Sequence, residues 1–310
     1  MSGLELRSKY MRNFTGLDRY STIIARLIVA GYLLQIVGAM ILGHLLLTYL
    51  ATLTGYTLAA FLAIYIATRM RGLNNIVHEC SHASFAADRQ ENVRLGSICA
   101  SVILSCYKDY RDEHLTHHRY LGDYDKDLDL QGIEDLKLHD PITTKTVLRH
   151  IFTPLIGRHL PYYLGANMSA RDGWIYQLLK IGLIAVTLLV AILAPLTAIV
   201  LIIIPFVFIY SAMNYWTDCL DHAGLVASED EIDSSRNILA PTPLKLLMFP
   251  RNDCFHLVHH LFPQIPARHL PACHEALEAD EAYATKPHAV RAPRKLPKAS
   301  DSLLPAGMNS

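Results

Sequence analysis

The sequence predicts an all-α membrane protein: four transmembrane helices arranged as two hairpins, with a cytoplasmic histidine-rich cap. Three observations carry that prediction. Two runs, residues 27–68 and 181–217, contain no Asp, Glu, Lys or Arg. Of the 310 residues 52% are hydrophobic and only 18% charged, too apolar for an ordinary soluble domain. Sixteen histidines stand against six cysteines, and all but His44 lie outside the uncharged runs.

Residues 1–26 carry Arg7, Lys9, Arg12, Arg19 and Arg26 and form an N-terminal segment ahead of the first run. As single helices the two runs would measure roughly 63 and 55 Å, against a hydrocarbon core of about 30 Å, so each must cross twice. The first turns near residues 52–55 and the second at Pro195, which predicts spans at about 27–49, 53–68, 178–194 and 196–217. Arg69 and Arg71 follow the first hairpin, Arg171 and Lys180 precede the second, and neither tip is basic. The positive-inside rule then places both termini and the central segment in the cytoplasm, with the chain in the inner or plasma membrane if its source is bacterial.

Between the hairpins, residues 93–107 are apolar but too short to span comfortably, which suits a buried or interfacial helix. Residues 147–164, VLRHIFTPLIGRHLPYYL, read equally as a helix pair on the anionic inner leaflet or as an amphipathic helix on a core. The membrane domain is expected to end near residue 279, and the basic, proline-rich residues 280–310 to be disordered. Equal numbers of basic and acidic side chains, 28 each, give no electrostatic reason to expect nucleic acid. The cysteines are scattered singly with no CxxC pair, so a reducing compartment is expected rather than a disulfide framework or zinc ribbon.

The chemistry is carried by histidine. His78 and His82 stand at i and i+4 in HECSH, so they share one helical face. HLTHH supplies His114, His117 and His118, and HLVHH supplies His256, His259 and His260. An HxxHH pattern arises by chance on the order of 0.04 times in a chain this rich in histidine, so two copies indicate a shared site. All three boxes fall on the same side of the membrane by the hairpin argument. His222 is a ninth candidate, four residues beyond Asp218 on the same face at the end of the last span. Nine imidazoles exceed the four ligands typical of zinc, so two metal ions are implied. Imidazole does not by itself say which metal.

These motifs resemble the membrane fatty acid desaturase superfamily, whose hallmark is three boxes, HxxxH, HxxHH and HxxHH. The flanks agree: ASF after the first box, YRDEHLTHH leading into DYDKDLDL, and HLVHHLFPQIP. The resemblance covers roughly residues 60–275. It implies a nonhaem diiron centre held by the nine histidines, with Asp218 touching metal through a water. The family has asparagine at that place, so Asp218 is a departure. The HxxxH form of the first box points to the delta-12, omega-3 and bacterial branches, or to hydroxylases and ketolases. Asp127 and Asp129, in a loop that also holds Asp123 and Asp125, are candidates for hydrogen bonds to ligand histidines.

What the resemblance implies chemically is desaturation. An unactivated alkyl C–H offers no proton that a side-chain base can take, whereas two irons, O2 as co-substrate and two electrons can remove two hydrogens. The substrate expected is a fatty-acyl lipid, an acyl-carrier group or a lipid-like metabolite. No HPGG-type haem motif is present, so a separate electron donor is expected, of ferredoxin, rubredoxin or cytochrome b5 type. The rivals are a hydroxylase or ketolase of the same superfamily, a desaturase of a small amino-acid-derived compound, and a histidine-rich metal transporter. The last would place ligands inside the spans. Of the remaining histidines, His44 is expected to be a satisfied core group. Asn214 and Trp216 are expected to pack in the core, with lining of a substrate channel the alternative, and Arg111 and Glu113 to form ion pairs.

Overall fold

The computed structural model describes residues 1–228, 230–286 and 288. Helices make up its regular structure, and no strand beyond one isolated bridge, Tyr20 with Ala86, occurs among the described residues. Helix α1 (Gly3–Phe14) is opened by a capping box between Ser2 and Glu5. Then come α2 (Thr22–Tyr49), α3 (Leu53–Ser81), α4 (Arg89–Val102), α5 (Tyr107–Tyr120), α6 (Thr144–Leu155) and the short α7 (Leu160–Tyr163). The second half holds α8 (Trp174–Leu193), α9 (Pro195–His222), α10 (Thr242–Met248), α11 (His256–Leu261), α12 (Leu270–Leu277) and α13 (Glu281–Ala284).

Helices α2, α3, α8 and α9 are long and apolar enough to cross a membrane. Leu34 is 71% exposed and Ile192 78%, a surface tolerable in lipid and costly in water. Two of these helices extend well past the expected spans. Helix α3 continues from residue 68 to Ser81, and α9 continues from 217 to His222. These extensions are polar yet buried: Arg71, Asn75 and Glu79 are each under a tenth exposed. Within α9, Ile199–Tyr210 is wound as a π-helix around Pro205. Such widening is one way a helix accommodates a residue lacking its N–H.

The expected apolar element at 93–107 is divided: α4 ends at Val102 and α5 begins at Tyr107, with Leu104 (φ 54°) in the turn between. Helix α6 is amphipathic. Val147, Ile151, Phe152 and Leu155 are exposed, while Thr146, His150 and Thr153 are buried. The N-terminal segment is docked on the body: Arg7 Nε donates to the Leu261 carbonyl (2.8 Å), and Phe14 meets Phe262 edge-on at 4.9 Å. Residues expected to begin a disordered tail include α13, whose Asp280 cap accepts from the Ala282 N–H and whose Tyr283 is fully buried. Residues 287 and 289–310 of that expected tail lie outside the described residues.

Candidate metal centre

Four separate segments deliver the nine histidines. His78 lies on the last turn of α3 and His82 is its C-cap. Helix α5 carries His114, His117 and His118; His222 ends α9; α11 carries His256, His259 and His260. Their ring nitrogens form two groups, each with all its members within 4.8 Å of one another. One holds His78, His82, His114, His118 and His259; the other holds His117, His222, His256 and His260. Consecutive residues feed different groups, since His117 and His118 diverge on α5 as His259 and His260 do on α11. The two groups therefore sit side by side, with the His118 and His260 rings 4.4 Å apart.

The supporting frame explains why the sequence folds this way locally. Helix α5 has no capping side chain at Cys106; instead Asp172 accepts from the N–H groups of Tyr107 (2.7 Å) and Lys108 (3.0 Å). Helix α3 holds the approach to the third box. Arg71 is ion-paired with Asp253, Arg251 with Glu79, and Asn75 Nδ2 donates to the Pro250 carbonyl at 2.6 Å. Arg251 and Asn252 accept left-handed backbone (φ 67° and 62°) within this clamp, a strain that surrounding contacts must sustain.

Carboxylates and carbonyls orient the rings from outside. Asp127 Oδ2 accepts from His117 Nδ1 at 2.9 Å, and Asp129 Oδ2 from His114 Nδ1 at 3.1 Å. The other Asp127 oxygen accepts the N–H groups of Asp129 and Leu130, so one fully buried carboxylate holds both its own turn and the histidine. Asp123 pairs instead with Lys126, and the Asp125 side chain takes no such part. His222 Nδ1 donates to the Ser234 carbonyl (3.0 Å). Asp218 is placed differently from the histidines: its Oδ2 accepts from Tyr163 Oη at 2.7 Å.

The donor set can be tested against a metal from the proton positions. Carboxylate and carbonyl oxygens only accept, so the protons of His114, His117 and His222 sit on Nδ1 and their Nε2 lone pairs point inward. Yet His117 Nε2 is 3.2 Å from His222 Nε2, and His114 Nε2 is 3.0 Å from that of His82 and 3.1 Å from that of His118. The facing lone pairs of His117 and His222 need a positive charge between them. In metal-free protein a proton on His117 can serve one contact: burial opposes its charge, but the Asp127 hydrogen bond and charge outweigh burial and raise its pKa. Elsewhere burial first, and neighbouring histidines second, push His82, His118, His256, His259 and His260 well below 6.5. Protons therefore cannot fill both groups. Nitrogens about 2.1 Å from one ion and at right angles to each other stand about 3.0 Å apart, so the residues fit two cations. The five-nitrogen group exceeds zinc's usual four.

A cavity of about 340 Å³ opens against this centre, between α3, α5, α9 and residues 162–167, and reaches His78, His114, His117, His222 and His256. Asn214, expected in the core, lines it and accepts from Arg71 Nη1 at 3.0 Å. Trp216 packs as expected, donating to the His150 carbonyl. Glu113 also lines the cavity and has no ion pair among the described residues, contrary to expectation. Burial, then the charges of Asp129, Asp109 and Asp112, push it up to about 7. Arg111 lies 4.0 Å from Asp112 and donates to the Ser81 carbonyl. The sequence reading missed Asp221, 3.4 Å from His256 Nδ1, and Asp253, 3.9 Å from His78 Nδ1. Asp221 immediately precedes His222 and Asp253 stands three residues before His256, a signal available but not distinctive. His44 is held by Thr197 Oγ1 at 2.8 Å, far in sequence from any box.

The sequence model of the family described as fatty acid desaturase matches residues 55–291. Among curated proteins, the dihydrorhizobitoxine desaturase of Bradyrhizobium elkanii is 25% identical over 249 residues, 74% of this chain and 69% of that protein. The chloroplastic omega-3 fatty acid desaturase of Brassica napus is 24% identical over 232 residues, 64% of this chain and 55% of that protein. The chloroplastic sn-2 acyl-lipid omega-3 desaturase (ferredoxin) of Arabidopsis thaliana is 29% identical over 100 residues, 32% of this chain and 22% of that protein. The chain thus spans about half the length of the Brassica relative.

Proposed function

The chain belongs to the fatty acid desaturase family, a family of oxidoreductases, and from that premise we propose an O2-dependent diiron desaturase that introduces a double bond into an alkyl chain. The observation that carries this reading is the double cluster of histidine ring nitrogens. His78, His82, His114, His118 and His259 would hold one iron, and His117, His222, His256 and His260 the other, with Asp218 reaching metal through a water. When bound, the iron pair supplies the O2-derived oxidising power that takes two hydrogens from adjacent carbons.

The chain's own residues do the rest. Asp127 and Asp129 fix the tautomers of His117 and His114, keeping Nε2 free and the rings aimed. Tyr163 holds Asp218 in place through its hydroxyl. The cavity brings an aliphatic segment against the histidines, with Ile103, Leu164 and Phe206 offering apolar contact. Four apolar helices and the family together make the chain a membrane protein. The basic flanks support a cytoplasmic site and cytoplasmic termini.

Electrons would arrive from a separate donor. The Arabidopsis relative's name specifies ferredoxin, which supports that class ahead of rubredoxin or a cytochrome b5 type. The relatives' names support a lipid or a lipid-like metabolite as substrate. Metal transport is disfavoured because the histidine groups gather at one end of the spans, and His44 within them is already engaged.

Expression with a compatible reductase, followed by mass spectrometry of lipids and small metabolites, tests the proposal, with His118→Ala as the inactive control. A product lighter by two hydrogens and about two irons per chain are expected. A product that instead gains oxygen would identify a hydroxylase or ketolase.

A further inference from the structure

A third group of metal-type donors lies outside the nine histidines: His274, Glu278 and His288 each bring one ligand atom to within 4.8 Å of the others. His274 lies on α12 and Glu278 is its C-cap, at i and i+4, so the two share one helical face. His288 comes from beyond α13, and its ring stands at 76° to that of His274 with centroids 5.5 Å apart. The His274 ring is fixed from the opposite edge. Its Nδ1 lies 2.7 Å from Tyr283 Oη, which accepts from Asn237 Nδ2 at 2.6 Å, so Nε2 is the nitrogen turned to Glu278, 4.0 Å from Oε1. At that separation the two atoms are too far apart for a hydrogen bond.

We propose that His274, Glu278 and His288 bind a metal ion of zinc type that pins the chain beyond α13 to α12. Two imidazoles and a carboxylate are a donor set that zinc takes, with water in the fourth position. Ligand atoms around a tetrahedral zinc stand about 3.4 Å apart, so the group closes by roughly an ångström on binding. Glu278 and His288 are partly exposed, which gives them room to close and the ion a way in. Tyr283 and Asn237 supply the outer hydrogen bonds that hold a ligand ring in place. Asn237 Oδ1 also accepts from the Val258 N–H at 3.3 Å, and the Phe255 ring lies 5.2 Å from that of His274, so the site is joined to the segment carrying the third histidine box. The inference stands apart from the desaturase reading, since its three ligands belong to neither group of the nine histidines.

The test is calorimetric titration of the untagged, iron-loaded, detergent-solubilised full chain with Zn2+, compared with Glu278→Gln and His288→Ala. Both variants alter partly exposed side chains, and Glu275→Gln, on an exposed neighbour, is the control. Expected is about one zinc per chain in wild type and in Glu275→Gln, a Kd at least about tenfold higher in Glu278→Gln, and no binding at this site in His288→Ala. Zinc should also slow hydrogen exchange of the α13 amides in wild type and not in His288→Ala. No zinc uptake by the wild type overturns the inference, whatever the variants do. Uptake that persists unchanged in His288→Ala or Glu278→Gln overturns it too, because that zinc has entered the nine histidines. Uptake lost in both variants without slowed exchange in the wild type overturns the pinning. If the protein takes up no iron, the difference of about one zinc between wild type and His288→Ala still decides the site, and only the desaturase reading falls.

Discussion

Asp127 shows how much one side chain can decide at the residue scale. It is fully buried, and a buried carboxylate is tolerable only when its oxygens are matched; here two backbone N–H groups and His117 do so. Asp127→Asn leaves the size and removes the charge, and should weaken metal affinity about 10- to 100-fold in chelator competition, whereas Asp123→Asn should leave it unchanged. The buried histidines make a second prediction. Their folded pKa values lie below 6.5, so the unfolded chain binds more protons as pH falls through 6.5 and stability is lost in that direction. Metal-free protein should therefore unfold at a lower temperature at about pH 5.5 than at about pH 7.5. His117 and Glu113, with their raised pKa values, oppose the trend, but the five histidines pushed below 6.5 outnumber them.

At the scale of elements, α5 is a hinge of the site, because like α11 it feeds both nitrogen groups. Its N-terminus depends on Asp172, distant in sequence. Asp172→Ala should cost about 0.5–2 kcal/mol in denaturant unfolding, the range for a lost helix cap. Its C-terminal end turns at Gly122, where φ is +94° and a Cβ would stand 2.0 Å from the Val226 carbonyl oxygen. Gly122→Ala should cost at least about 1–3 kcal/mol and lower the iron content of purified protein, because the displaced turn carries Asp127 and Asp129. The expectation of one short apolar element at 93–107 missed this boundary. Hydropathy saw a continuous run, whereas the distant Asp172 and the turn at Leu104 set where α5 begins.

Across the whole molecule, the polar ends of α3 and α9 are the base on which the third box is mounted, and α1 closes over it. Phe14 is 5% exposed and meets Phe262, one residue past α11. Phe14→Ala should destabilise the protein by about 3 kcal/mol and reduce metal retention, read by thermal unfolding and metal analysis of one preparation. Net charge and composition gave no sign that residues 1–26 would be docked, since the segment reads as basic and flanking. Only the partners it meets, Leu261, Phe262, Glu231 and Asp280, reveal its role.

The spacing of the boxes by itself determined that the histidines would share helical faces, and the length of the uncharged runs determined how many apolar helices there would be. Both are local properties, set by helical rise and periodicity within a few turns of chain. Which histidine joins which group, which aspartates orient them and what the cavity offers a substrate were decided only by tertiary structure. Those features depend on contacts such as His78 with His259 and Arg71 with Asp253, 181 and 182 residues apart, which no local pattern encodes. Burial then settled the remaining question, placing residues of types usually found at the surface, such as Arg71 and Asp221, in the interior beside the histidines.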